Sequence, residues 1–237
     1  MKILAALISV LLILGTTACK RQEENAFSSN YQPPVFTHKD RLETISKFLS
    51  GSHHHYDEYL ERLHLPGLAY GLVVVDSLIF CGGSGKANLA SGEAVTAHTL
   101  FRIASMTKSF TALAILMHRD EGRLSLSDPV SHYLPELEQL AYLSSDAPPV
   151  SIYNLLTMTA GFPEDNPWGD RFLDISDEAL SEQVRQGISF SNVPSAGYEY
   201  SNLGYGLLGQ IITRLSGMPY QDYISQNILL PLGMTHT

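Results

Sequence analysis

The chain has 237 residues, 44% of them hydrophobic, 16% charged and 9% aromatic, a globular profile that excludes an intrinsically disordered polypeptide. It is long enough to bury a real core, as one large domain or two small ones. With 15 Lys and Arg against 24 Asp and Glu the net charge is −9. Scattered cations on an acidic chain argue against nucleic acid as a partner, so the acidity reads as solubility.

In chain order, Lys2 precedes an apolar run to Leu14, and small residues follow up to Cys19. This is the pattern of a secretory signal, too short to read as a spanning helix. A small-residue stretch that stops at a cysteine resembles a bacterial lipoprotein signal, although Thr16 stands where such signals usually carry Leu. The resemblance implies that Cys19 is acylated and becomes the first mature residue. The chain would then be held on a membrane of the periplasm or cell envelope through a lipid anchor at Cys19; the alternative is a plain cleaved signal. Cys81, the other cysteine, is then without a disulfide partner and is expected to pack as a small buried hydrophobe. Residues 20–36 are polar, carry Pro33-Pro34, and read as a tether; the folded part is expected over 37–237.

A helical period follows from about Asp40 to His64, with Leu42, Ile45, Phe48 and Leu49 on one side, interrupted at "GSHHHY". His53, His54 and His55 are consecutive, so their side chains diverge and cannot close on one ion; they read as a solvated loop, and no metal is expected. "LPGLAYGLVVV" and "SLIFCGGSGKANL" read as β-strands. "CGGSGKAN" lacks the spacing and the final Ser or Thr of a phosphate-binding loop and reads instead as a glycine-rich hairpin turn. From Ser105 onward the chain reads as mostly helical. "MTKSFTALAILMHRDEG" is apolar almost all round and predicts a buried helix stopped by Gly122. "LSDPV" supplies a cap and a proline for a further helix, and "SIYNLLTMTAG" predicts a short capped helix ending at Gly161. "ISDEALSEQVRQG", "LGYGLLGQIITRLSG" and "PYQDYISQNILLPLGM" predict three more.

Ser105 and Lys108 stand three apart and share a face if the helix begins at or just before Ser105. The serine then lies at the positive end of the helix dipole, where backbone N–H groups can bind a developing oxyanion. The same dipole and apolar surroundings disfavour a charged ammonium, so Lys108 is suited to take the serine proton. In "YEYSNLGYG", Tyr200 and Asn202 are two apart and project to one side of an extended segment. A phenol there can shuttle a proton, and an amide can bond substrate or Lys108. Each pair alone also fits a bland reading: a polar helix start, a packed tyrosine and an N-cap asparagine.

The stretches "TLFRIASMTKSFTALAIL", "GRLSLSDPVSHYLPEL", "SIYNLLTMTAGF", "YEYSNLGYGLLGQII" and "LLPLGMTHT" together resemble the penicillin-recognising serine hydrolases, in the branch holding class C β-lactamases, D,D-peptidases and related esterases. The resemblance runs from about Pro66 to Thr237. It implies Ser105 as the acylated nucleophile, Lys108 as its general base, Tyr200 as second proton carrier and Asn202 as the substrate-contacting amide, with no metal or organic cofactor. Two departures stand out. Met158-Thr159-Ala160-Gly161 replaces the family's frequent His-Thr-Ser-Gly, which bears on packing below the site. The family's third motif, Lys-Thr-Gly or His-x-Gly on a late strand, would lie beyond Thr237.

The implied fold is α+β and β-lactamase/transpeptidase-like, an antiparallel sheet flanked by a mainly helical region, with the sheet incomplete in this chain. The implied function is a serine hydrolase acting through an acyl-enzyme on a small-molecule or peptide substrate: a D-alanyl peptide, a β-lactam or a small ester. The alternatives are a non-catalytic relative that binds a cell-wall peptide, or an inactive truncated fragment.

Overall fold

The computed structural model describes residues 40–165 and 175–237. The signal, the tether and Cys19 lie outside the described residues. The chain forms two compact units that divide after Ala97.

The first unit opens with two helices, α1 (Arg41–Leu49) and α2 (His53–Leu63), followed by strands β1 (Gly67–Val74), β2 (Ser77–Asn88) and β3 (Glu93–Ala94). The strands form an antiparallel sheet in the order β1-β2-β3, and both helices contact β2. The three histidines form the first turn of α2 rather than a loop, directly after Ser52. They remain exposed, and His53 Nδ1 hydrogen-bonds the Tyr70 phenol. Among the described residues no group of three or more His, Cys, Asp or Glu side chains converges as a metal site.

The glycine-rich stretch is not a turn. Gly82, Gly83 and Gly85 sit inside β2 opposite Tyr70, Ala69 and Gly67, while the hairpin turns at Val75-Asp76. The glycines serve close approach instead: a Cβ on Gly83 would lie 2.5 Å from the Val95 carbonyl oxygen, and one on Gly82 would meet the Tyr70 ring. Cys81, just before them on β2, is exposed rather than buried.

In the second unit a 3-10 turn (Ala104–Met106) leads directly into α3 (Thr107–Asp120). This helix is only half buried. Thr111, Ala114, Ile115 and His118 face the core, while Met106 just ahead of it and Leu113 on it are exposed. The "LSDPV" segment makes no α-helix: Pro129 is extended and bridges Ser151, and a short 3-10 turn (Val130–His132) follows. The Asp128 carboxylate is used locally, accepting from the Ser125 N–H at 2.7 Å and the Tyr133 phenol at 2.5 Å. Helix α4 (Ile152–Leu156) is capped reciprocally by Ser151 and Asn154, but stops five residues before Gly161. Met158 there takes a left-handed conformation (φ 57°) that no continuing helix allows.

Helix α5 (Asp177–Arg185) is capped by Ser176, and α6 (Asn202–Ser216) by Ser201, with Gly217 in the left-handed conformation at its end. The last predicted helix is α only over α7 (Tyr220–Ile224) and continues as a π turn (Ser225–Leu229). Helix α6 is central: α3, α4 and α7 all pack on it, and its Leu207, Leu208, Ile211 and Ile212 are fully buried.

Candidate active site

All four residues singled out in the sequence meet in the second unit. Ser105 occupies the 3-10 turn at the front of α3, and Lys108 is the second residue of the helix proper. The three-residue spacing places Lys108 Nζ 3.1 Å from Ser105 Oγ. The residue before the serine, Ala104, has φ 45°, a left-handed conformation that is costly for a side chain and is held by its surroundings.

Tyr200 and Asn202 arrive from the N-terminal end of α6. The capping residue is Ser201, whose Oγ accepts from the Gly204 N–H at 3.0 Å. Asn202 is therefore the first helical residue and not the cap. Tyr200 lies just outside the helix, and both side chains reach Lys108. Nζ donates to the Tyr200 phenol oxygen at 2.8 Å and to Asn202 Oδ1 at 2.6 Å. The Tyr200 phenol also hydrogen-bonds Ser105 Oγ, closing a triangle of serine, phenol and lysine. The Tyr200 ring centroid lies 4.8 Å from Nζ and the Tyr205 ring centroid 5.5 Å, so the cation also rests over two aromatic faces.

The electrostatics follow from this packing. Burial pushes the Tyr200 phenol up, but its hydrogen bonds to Lys108 and Ser105 and the nearby ammonium outweigh that, and the net direction is below the ordinary tyrosine value. Tyr205, buried beside Tyr198 and Tyr200, is held above it, and its hydroxyl donates to the Leu156 carbonyl at 3.0 Å. Two phenols six ångströms or less from one lysine are thus driven in opposite directions. A cleft of about 870 Å³ opens beside the cluster, lined by Ser105, Lys108, Thr111, Asn202, Tyr205 and Tyr220 among others.

One residue of the site is absent from the sequence reading. The Asp165 carboxylate accepts from the backbone N–H of Asn202 at 2.6 Å and of Leu203 at 2.7 Å, and from Ser201 Oγ at 3.1 Å. An acidic partner for a helix start is sought just before that helix, whereas Asp165 precedes Asn202 by 37 residues. No local pattern signals it. The Met158 departure lies near the same strap: Met158 Sδ accepts from the Tyr198 phenol at 3.3 Å, and the Met158 carbonyl from the Glu199 N–H at 3.0 Å. Both bonds are to the two residues just ahead of Tyr200.

Residues 53–237 match the family model named Beta-lactamase. Protein flp of Staphylococcus aureus (strain N315) is 34% identical over 181 residues, covering 75% of this chain and 36% of that protein. The octameric penicillin-binding protein homologue from Pyrococcus abyssi is similar at a TM-score of 0.66 and 30% identity, over 82% of this chain and 43% of that one. A class C beta-lactamase is similar at a TM-score of 0.64 and 28% identity, over 83% of this chain and 50% of that one. The chain thus spans about a third of the length of its curated relative and about half that of the solved structures. With one family model over most of its length and a β-lactamase/transpeptidase-like fold shared with those structures, the chain belongs to the beta-lactamase family.

Proposed function

We propose that this chain is a serine hydrolase in which Ser105 forms an acyl-enzyme on an ester or amide. The observation that carries this reading is the closed Ser105–Lys108–Tyr200 triangle, built from two helix starts more than 90 residues apart and braced by Asn202 on Lys108. A hydroxyl in contact with both a lysine and a phenol of lowered pKa has a path for its proton.

In the proposed reaction Ser105 Oγ attacks the carbonyl carbon. A C–O bond forms, the carbonyl π pair moves onto oxygen, and the serine proton passes to the Lys108–Tyr200 pair, which enters the step with one proton fewer than ammonium plus phenol. Collapse of the tetrahedral adduct expels the amine or alcohol, which takes its proton from Tyr200. Water then repeats the sequence on the acyl-enzyme. Asn202 holds Lys108 and offers its amide N–H toward the cleft side of the substrate. D-alanyl peptides, β-lactams and small esters all present the required carbonyl.

Intact-protein mass spectrometry tests the proposal on the chain from Lys20 onward, incubated separately with a β-lactam, a D-alanyl peptide and a fluorophosphonate. An adduct present on the parent and absent from Ser105→Ala is expected. A folded parent that gains none of the three would sink the hydrolase reading in favour of peptide binding or an inert fragment.

The lipid anchor is a second part of the proposal, supported by the small-residue stretch that ends at Cys19. Growth of an expressing bacterium with a clickable fatty acid should label the parent and not Cys19→Ala. Equal labelling of both would remove the anchor.

A further inference from the structure

Tyr200 and Asn202 are not held by their own side chains alone. The Asp165 carboxylate takes the first two N–H groups of α6 and the Ser201 hydroxyl, and its own N–H donates to the Tyr200 carbonyl at 3.4 Å. Four consecutive residues, Tyr200 to Leu203, are therefore tied to one residue of the loop that follows Phe162, three of them to its carboxylate. Ser201 already supplies the local cap by accepting from Gly204. A local cap fixes a helix start to itself; a carboxylate from a distant loop fixes it in space. Charged acceptors on backbone N–H groups are among the stronger hydrogen bonds, and a helix N-terminus favours the negative charge.

We propose that Asp165 is the positioning residue of this site: its carboxylate clamps Ser201–Leu203, its N–H holds the Tyr200 carbonyl, and together they set the Tyr200 phenol and Asn202 Oδ1 on Lys108. Asp165 touches neither Lys108 nor Ser105 and acts through the backbone. Its charge has a further consequence. The groups facing the Tyr200 phenol are Lys108 and Ser105, with Tyr205 alongside and Asp165 behind, and the Asp165 charge opposes the lowering that Lys108 imposes. Removing that charge with the geometry intact moves the Tyr200 titration down, whereas releasing Tyr200 from Lys108 moves it up.

The activity arm of the test rests on the hydrolase reading; the titration arm does not. Parent, Asp165→Asn, Asp165→Ala and Ser151→Ala are compared, the last removing the cap of α4 as a purely structural control. The first readout is the limiting rate of fluorophosphonate labelling at saturating probe. The second is the pH titration of the Tyr200 ring carbon in ¹³Cζ-tyrosine-labelled protein, assigned with Tyr200→Phe. Asp165→Ala should lose about ten- to a hundredfold in limiting rate, the scale of an ångström of misplacement. Asp165→Asn, which keeps one acceptor, should lose less. Asp165→Asn, which keeps the geometry and loses the charge, should titrate Tyr200 at lower pH than the parent. Asp165→Ala, which lets Tyr200 leave Lys108, should titrate it at higher pH than Asp165→Asn, and Ser151→Ala should change neither quantity. A parental rate in Asp165→Ala with a titration equal to that of Asp165→Asn would overturn the proposal, as would Ser151→Ala reproducing both changes. If the parent itself is never labelled, the hydrolase reading fails, and the difference in Tyr200 titration between Asp165→Asn and Asp165→Ala decides whether Asp165 holds this segment.

Discussion

Among the described residues from Asp40 to Ala97, Leu60 and Val95 are the buried hydrophobics, whereas from His98 onward 20 hydrophobic residues form one contiguous buried cluster. The sheet of the first unit and its hairpin turn expose residues that the sequence suits to a core: Val73 on β1 is 62% exposed, Leu78 on β2 60% and Val75 in the turn 87%. In the second unit Leu207, Leu208, Ile211 and Ile212 have no exposed surface at all. The difference teaches where the chemistry is anchored. Ser105, Lys108, Tyr200 and Asn202 all belong to the unit that possesses its own core, on or just ahead of α3 and α6, whose buried faces are part of that core.

Mutations can break this comparison. The largest loss is expected from Leu208→Ala, which empties a fully buried position of α6; such cavities cost about 2–5 kcal/mol in denaturant unfolding. Gly161→Ala comes next. Gly161 has φ 82°, and an added Cβ would meet the Asn192 carbonyl oxygen at 2.2 Å, so a loss of about 1–3 kcal/mol is expected from strain alone. A smaller, pH-dependent loss comes from His118. It is buried against the Tyr223 ring, 4.9 Å between centroids, with no hydrogen-bond partner for Nε2 among the described residues. Burial and the neighbouring Arg123 hold its pKa below the ordinary histidine value. The unfolded chain therefore binds this proton more readily than the folded one. The stability from neutral His118 is complete above the unfolded pKa of about 6.5 and is lost as pH falls below it. Unfolding of His118→Phe should lose that part of the acid sensitivity. The smallest effect belongs to Leu78→Ala on β2, expected within about 0.5 kcal/mol. A Leu78→Ala loss equal to that of Leu208→Ala would erase the distinction between the units.

The legible parts of the site were those that local periodicity controls. Ser105 and Lys108 are one helical turn apart, and Tyr200 and Asn202 straddle a helix start, so each pair is encoded within four residues. That the two pairs meet is a tertiary fact, suggested by the family resemblance and carried in space by the α3–α6 packing. Asp165 was illegible because its partners are backbone groups of a distant segment, which any sequence at 202 and 203 would present. The misreadings have similar causes. Gly82 and Gly83 suggested a turn, but glycine also admits a neighbouring ring or carbonyl within a strand. The apolar composition of α3 suggested burial on all sides, yet Leu113 faces outward. His53 to His55 suggested a loop, but the Ser52 position starts a helix there. Pro129 suggested a helix start, but pairing with Ser151 holds it extended.

The central claim is that Lys108 and its partners activate Ser105. Its most direct test is the rate of fluorophosphonate transfer to Ser105, followed by peptide mass spectrometry, in the parent and in Lys108→Met. General-base assistance is worth about 100- to 10,000-fold, so labelling at Ser105 should slow by at least about 100-fold in the variant while its unfolding midpoint stays near the parental value. Equal labelling of both proteins, or labelling at a residue other than Ser105, would contradict the account.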